Sequence, residues 1–236
     1  MTRCKGERFE EGGYEVRNRT MKLGTFVVAT AIGLAVVACT SGARDGQDAT
    51  TPDGEPSITS VDTTAVEVAT DFVKAFGAFD AERAIGDLAD GTDLAGLNGV
   101  EGSAELRLLL SLLEAQGYEQ MGTSCEQTGS SASGTDVRCT FDFHGIRSDE
   151  IGRGPYSGSY FDLTVLDGKI QRPSLYWETK EFSTYMWEPF ATWVSETYPK
   201  DGAVMYNSSY SDFLLSEESI QLWEQHTQEY VKEMTQ

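Results

Sequence analysis

Hydrophobic residues recur at helical spacing in three stretches between residues 62 and 117. The first stretch opens with the capping-box pattern Thr64-x-x-Glu67, which predicts Thr64 as the N-cap, and it ends near Gly77. Its apolar stripe is Val66, Ala69, Phe72, Val73 and Phe76. A short second helix is predicted over 80–88 and a third over about 103–116.

Beyond residue 117 the period of the pattern changes from 3.6 to 2, which indicates strands. Strands are predicted at 118–127, 137–144, 161–165 and 169–178, and Asp167-Gly168 supplies a hairpin turn before the last. The second strand has an apolar face made of Val137, Cys139, Phe141 and Phe143. Four antiparallel strands therefore follow three helices.

The chain returns to helical spacing after residue 178. Pro189 suits the first turn of one helix, and Ser216 starts a last helix. That helix carries the stripe Ile220, Trp223, Thr227, Tyr230, Val231 and Met234. His226 falls beside the stripe, so we expect it to be exposed. Helices, then a meandering sheet, then helices predict an α+β fold.

The short second helix begins with the sequence Asp-Ala-Glu-Arg-Ala at residues 80–84. With the long first helix, the third helix and the hairpins, this order resembles the nuclear transport factor 2 (NTF2) superfamily, including the SnoaL-like polyketide cyclases. The resemblance covers about residues 62–178 and rests on element order. It implies helices packed on a curved, cone-like antiparallel sheet around a pocket. The extra C-terminal helices would plug or cover that pocket.

A run of 15 uncharged residues, 24–38, follows the basic residues Arg17, Arg19 and Lys22. Such a run with a basic flank is typical of a secretory signal, and it is short for a membrane span. Its ending, Val36-Val37-Ala38-Cys39, resembles the lipobox of bacterial lipoproteins. The resemblance implies that Cys39 receives a lipid and becomes the mature N-terminus. A membrane-retained signal anchor is the alternative.

These features divide the chain into an N-terminal extension and signal peptide (1–38), a lipidated Cys39 with a flexible tether (39–61) and one domain (62–236). The tether is rich in Ser, Thr, Gly, Asp and Ala. Its mean reach is roughly 25 Å. We expect a protein that is exported and lipid-anchored at the outer face of a bacterial membrane.

Charge narrows the choice of partners. The whole chain has 18 basic and 38 acidic residues; six basic and four acidic ones precede Cys39, which leaves 12 and 34 and a formal charge of −22. Such a charge argues against nucleic acid and anionic lipid head groups as partners. Two cysteines in the predicted domain, Cys125 and Cys139, are expected to form a disulfide in an exported protein. Metal binding is the less favoured alternative, and no metal or cofactor is expected.

His144 is the most interesting titratable group. It shares a strand face with Asp142, and the resemblance implies that a His/Asp pair in the cone does acid–base work. On the strand pattern alone, both side chains face water. No nucleophile elbow, P-loop, GxGxxG or EF-hand pattern is present in the sequence.

Aromatic residues are dense around the last hairpin, and they indicate either core filling or a binding surface. They are Tyr156, Tyr160, Tyr176, Trp177, Tyr185 and Trp187. We take Tyr160, Tyr176 and Trp177 as candidate ligand-binding residues. The favoured function is a non-catalytic envelope protein that binds a small apolar ligand or a partner protein. The alternatives are a SnoaL-like enzyme using His144 and Asp142, and an interaction module with a self-filled pocket.

Overall fold

The protein was studied as a computed structural model that describes residues 62–236. The predicted signal peptide, Cys39 and the tether lie outside the described residues. The helices are α1 (Thr63–Gly77), α2 (Ala81–Asp87), α3 (Ser103–Ala115), α4 (Lys180–Phe182), α5 (Glu188–Thr197), α6 (Pro199–Met205) and α7 (Glu217–Met234). The strands are β1 (Glu119–Ser131), β2 (Gly134–His144), β3 (Tyr156–Leu166) and β4 (Lys169–Tyr176).

The four strands form one antiparallel sheet in the order β1-β2-β3-β4. Register shifts interrupt all three strand pairings, for example between Met121 and Ser124 in β1 and between Phe141 and Phe143 in β2. Such irregularities bend a sheet and increase its twist. The predicted fold class is confirmed: N-terminal helices pack on a curved antiparallel sheet, and extra helices follow.

Helix α1 contacts all four strands, and their shared core is rich in aromatic rings. Phe161 of β3 is fully buried, with its ring 5.1 Å from that of Phe76 and 6.0 Å from that of Phe72, centroid to centroid. The alternating apolar residues predicted for β2 and β3 all point into this core. Burial of these side chains is the main driving force holding helix to sheet.

The N-cap prediction for α1 is wrong. Asp62, not Thr64, caps the helix, and its carboxylate accepts a hydrogen bond from the Ala65 backbone N–H at 3.2 Å. The same carboxylate accepts from the Thr135 hydroxyl at 3.1 Å. Asp62 is therefore preferred because it caps the helix and joins it to β2 at once.

Strand β1 is longer than predicted and ends at Ser131 rather than Gln127. The Gly/Ser-rich residues after Gln127 pair with β2 as far as Ser131, which lies opposite Gly134. No residue of β1 is buried, so the hydrophobic pattern carried no signal for this extension. Cys125 and Cys139 lie directly opposite each other in this pairing and form the expected disulfide.

The C-terminal segment forms a second packing layer. Residues Ser183–Trp187 make a π-helical turn between α4 and α5, and α7 packs against α3, α5 and α6. Trp223 of α7 is fully buried, with its ring centroid 5.0 Å from that of Tyr206 and 5.3 Å from that of Phe190. Within residues 62–236, no helix is long and apolar enough to cross a membrane.

Candidate functional site

A cavity of about 210 Å³ lies between the first layer and the C-terminal segment. Its floor is buried and comes from α3, the residues after it and β2. The floor residues are Leu109, Leu113, Gln116, Tyr118 and Phe143. Leu109 and Leu113 lie four residues apart on α3, which places both on one face of the helix.

The walls of the cavity are half-buried aromatic rings from the chain after β4. They are Trp177, Phe182, Trp187 and Phe213. Trp177 packs its ring 5.1 Å from Phe143 and 5.5 Å from Tyr118, centroid to centroid. Trp187 sits on the π-helical turn and donates a hydrogen bond from its indole N–H to the Tyr210 carbonyl at 2.9 Å. Each tryptophan is thus held in place by contacts with neighbouring residues.

The rim of the cavity is polar and open to solvent, with Asn98, Thr179, Ser211 and Asp212 around it. The Asp212 side chain is more than a third exposed, yet the protein crowds one side of its carboxyl group. This partial burial raises the pKa of Asp212, and a hydrogen bond from the Phe213 backbone N–H, 2.9 Å long, offsets part of the rise. Among the described residues that line the cavity, Asp212 is the one formally charged side chain.

The floor holds one unsatisfied polar group. Gln116 is 4% exposed, and its side-chain Nε2 has no hydrogen-bond partner within the part of the chain that the structure describes. A buried amide N–H left unpaired costs about 1–3 kcal/mol of stability. Beside it, burial raises the pKa of Tyr118 well above the ordinary value, which keeps the phenol protonated.

An apolar floor, aromatic walls and a few polar groups are the usual composition of a small-molecule site. No family model matches the chain, and no curated protein matches it. It is similar to the solved structure of an NTF2-like protein of unknown function from Cytophaga hutchinsonii ATCC 33406. That protein is 14% identical, the match covers 49% of this chain and 91% of that one, and the TM-score is 0.36.

Two further solved structures are each similar to about half of the chain. One, from Pseudomonas putida KT2440, is provisionally named a polyketide cyclase, with 18% identity, 50% and 94% coverage and a TM-score of 0.36. The other, from Kribbella flavida DSM 17836, is provisionally named a ketosteroid isomerase, with 13% identity, 48% and 77% coverage and a TM-score of 0.35. These neighbours include NTF2-like and polyketide cyclase-like proteins, the group that the element order resembles. Similarity at this level does not show an activity for this chain, because one fold serves many functions.

The structure places His144 and Asp142 away from the cavity lining. His144 is buried, contrary to the expectation that it faces water, and its Nδ1 lies 2.9 Å from the Ser148 hydroxyl. The register shift next to Phe143 ends the alternation of β2, and Gly154 packs against the imidazole ring. Asp142 is half-buried on the outer side of the sheet. The two side chains are thus not brought together in the cavity.

The three candidate aromatic residues are not brought together either. Trp177 lines the cavity, whereas Tyr160 and Tyr176 stack on the outer face of the sheet with centroids 4.8 Å apart. There the Arg138 guanidinium lies 4.1 Å from the Tyr160 ring centroid and pairs with Asp162 at 2.7 Å. Successive residues of an extended chain point to opposite faces. Tyr176 therefore lies on the outer face of the sheet, whereas Trp177 lines the cavity.

His226 was expected to be exposed, and this is wrong. It is fully buried, with Nε2 at 2.9 Å from an Asp201 carboxylate oxygen and Nδ1 at 3.0 Å from a Glu229 carboxylate oxygen. Its ring stacks on Tyr198 with centroids 4.3 Å apart. Helix α6 covers this side of α7, so the helix is buried over a wider arc than its apolar stripe.

Proposed function

We propose that the protein is an exported, lipid-anchored binding protein of the bacterial cell envelope, and that it holds a small, largely apolar ligand without transforming it. The observation that carries the ligand-binding part is the cavity with its buried floor and aromatic walls. Its volume, about 210 Å³, is below the roughly 300–1,000 Å³ of cavities that hold drug-sized molecules, which favours a small ligand.

The composition of the lining favours binding over acid–base catalysis. Among the described residues around the cavity the titratable groups are the Asp212 carboxylate at the rim and the Tyr118 phenol in the floor, which burial keeps protonated, and no histidine, lysine or cysteine accompanies them. Acid–base catalysis needs a proton donor or acceptor within hydrogen-bond reach of the reacting atom. The pair His144 and Asp142, on which an enzymatic function would depend, lies outside the lining.

The C-terminal helices support binding rather than a self-filled pocket. Trp187 forms a wall of the cavity without occupying it, while Trp193 and Trp223 pack together with Phe190 and Tyr230 behind that wall. The additional layer thus completes the site. It also restricts the site to compact ligands.

Filling the cavity should abolish binding of a small neutral probe. Ser183 is half-buried in the cavity wall, whereas its neighbour Thr184 is exposed and outside the lining. We expect the full-length chain to bind indole measurably by isothermal titration calorimetry. In Ser183→Phe the affinity should fall at least tenfold, because the new ring takes the ligand's space.

Thr184→Phe is the matched control, since it adds the same ring one residue away, and it should bind indole as the native chain does. Equal affinity in all three proteins would place binding elsewhere, and no detectable binding to the native chain would overturn the proposed ligand-binding function.

The lipid anchor has its own test, because the proposal assigns the lipid to Cys39. Cys39→Ala should remove incorporation of labelled fatty acid and move the protein from the membrane fraction to the soluble one. Cys4→Ala is the control and should keep both. Unchanged labelling of Cys39→Ala would refute the anchor and leave ligand binding untouched.

A further inference from the structure

The charge of the cavity points to the chemical class of its ligand. Asp212 is at the rim, and the described lining residues include no lysine, arginine or histidine to balance it. Its carboxyl group accepts one hydrogen bond, from the Phe213 backbone N–H. Remaining carboxylate lone pairs can receive a cationic or N–H-bearing ligand.

Aromatic rings stand beside this carboxylate. Phe213 follows it in the chain, and Trp177, Phe182 and Trp187 complete the walls. The face of an aromatic ring carries a partial negative charge that attracts cations, and tryptophan attracts them most strongly. Several such rings beside one carboxylate are the arrangement that recognises alkylammonium groups.

The charge of the whole protein acts in the same direction. The chain carries 38 acidic against 18 basic residues. A strongly negative protein raises the local concentration of cations and speeds their association. Anionic ligands are repelled by the same charge, and the described lining residues include no basic side chain to bind them.

On the basis of the proposed function, we propose that the ligand is a small organic cation. It is an amine or quaternary ammonium compound with a compact apolar body. Its cationic group lies between the aromatic walls and Asp212. The buried floor supplies apolar contact, and Asp212 fixes the orientation of the cationic group.

Choline and 3,3-dimethylbutan-1-ol test the charge directly, because the two molecules have nearly the same shape and differ in one positive charge. We expect the full-length chain to bind choline at least tenfold more tightly than the neutral alcohol at low ionic strength. In Asp212→Asn the affinity for choline should fall at least tenfold and that for the alcohol should not change.

Asp167→Asn is the control for overall charge. Asp167 is exposed in the β3–β4 turn and away from the cavity lining, so the substitution removes the same charge elsewhere and should leave choline binding unchanged.

The experiments distinguish a failure of the cation assignment from a failure of the proposed ligand-binding function. Equal affinity for choline and the alcohol would overturn the assignment of the ligand as a cation, and so would an equal loss of choline affinity in Asp212→Asn and Asp167→Asn. Either result would leave the cavity as a site for a neutral ligand. Absence of indole binding to the native chain would overturn the proposed ligand-binding function and, with it, the assignment of the ligand as a cation.

Discussion

Trp223→Ala is expected to lower the free energy of unfolding by about 3–5 kcal/mol, the range for truncating a large buried aromatic side chain. Trp223 is fully buried, and its ring contacts those of Trp187, Phe190 and Tyr206 at centroid distances of 5.7, 5.3 and 5.0 Å. Chemical denaturation followed by circular dichroism measures the loss. Because Trp187 is a wall of the cavity, affinity for the small probes should fall too.

Two variants separate this effect from a general loss of tryptophan. Trp193 is half-buried and donates to a Glu233 carboxylate at 2.8 Å, so Trp193→Ala should cost about 1 kcal/mol and leave binding intact. Trp223→Phe keeps a ring and removes an indole N–H that has no partner among the described residues. Its cost should be about 1 kcal/mol, since relief of the unpaired donor offsets part of the lost contact. Similar losses in Trp223→Ala and Trp193→Ala would contradict Trp223 as the centre of this layer.

Periodicity located most of the elements because local patterns and tertiary packing agree in them. The predicted helix over 103–116 is α3 within a residue, and Ser216 is indeed the N-cap of α7. Such elements can be predicted from the sequence because local preference and the overall fold agree in them. Where a residue serves two elements at once, as Asp62 does, the pattern within one element gives the wrong answer.

The cavity could not be predicted in this way, because its residues come from distant parts of the chain. Gln116 ends α3, Trp177 follows β4, and Asp212 lies in the connection between α6 and α7. Gln116 had one usable signal: a polar residue that continues the apolar stripe of a helix just before its glycine stop. Asp212 had none, since a carboxylate in a polar loop is usually only solvated.

His226 shows the same limit and leads to the second large expected effect. His226→Ala should lower the free energy of unfolding by about 3 kcal/mol. The variant loses two hydrogen bonds to charged groups, each worth about 1.5–3 kcal/mol, although water can reach both carboxylates, which are 37% and 38% exposed. It also loses the stack of the imidazole on Tyr198.

His144→Ala is the matched control, since His144 is also buried but has one hydrogen bond, to a neutral hydroxyl. It should cost about half as much. If the two histidine variants were equally stable, the contacts of His226 with Asp201 and Glu229 would add nothing beyond burial of the ring.

Lowering the pH should reveal how much ionised Glu229 contributes to stability through its contact with His226. Its partial burial alone would raise the pKa, but hydrogen bonds from His226, Gln225 and Tyr198 outweigh burial and lower the pKa of Glu229 below its ordinary 4.5. A lowered carboxyl pKa in the folded state adds stability above about pH 4.5, and this is lost as the pH falls through the lowered value. The stability difference between native chain and His226→Ala should therefore shrink below about pH 4.5. A difference that stays constant down to pH 3 would show that His226 does not stabilise the ionised form of Glu229.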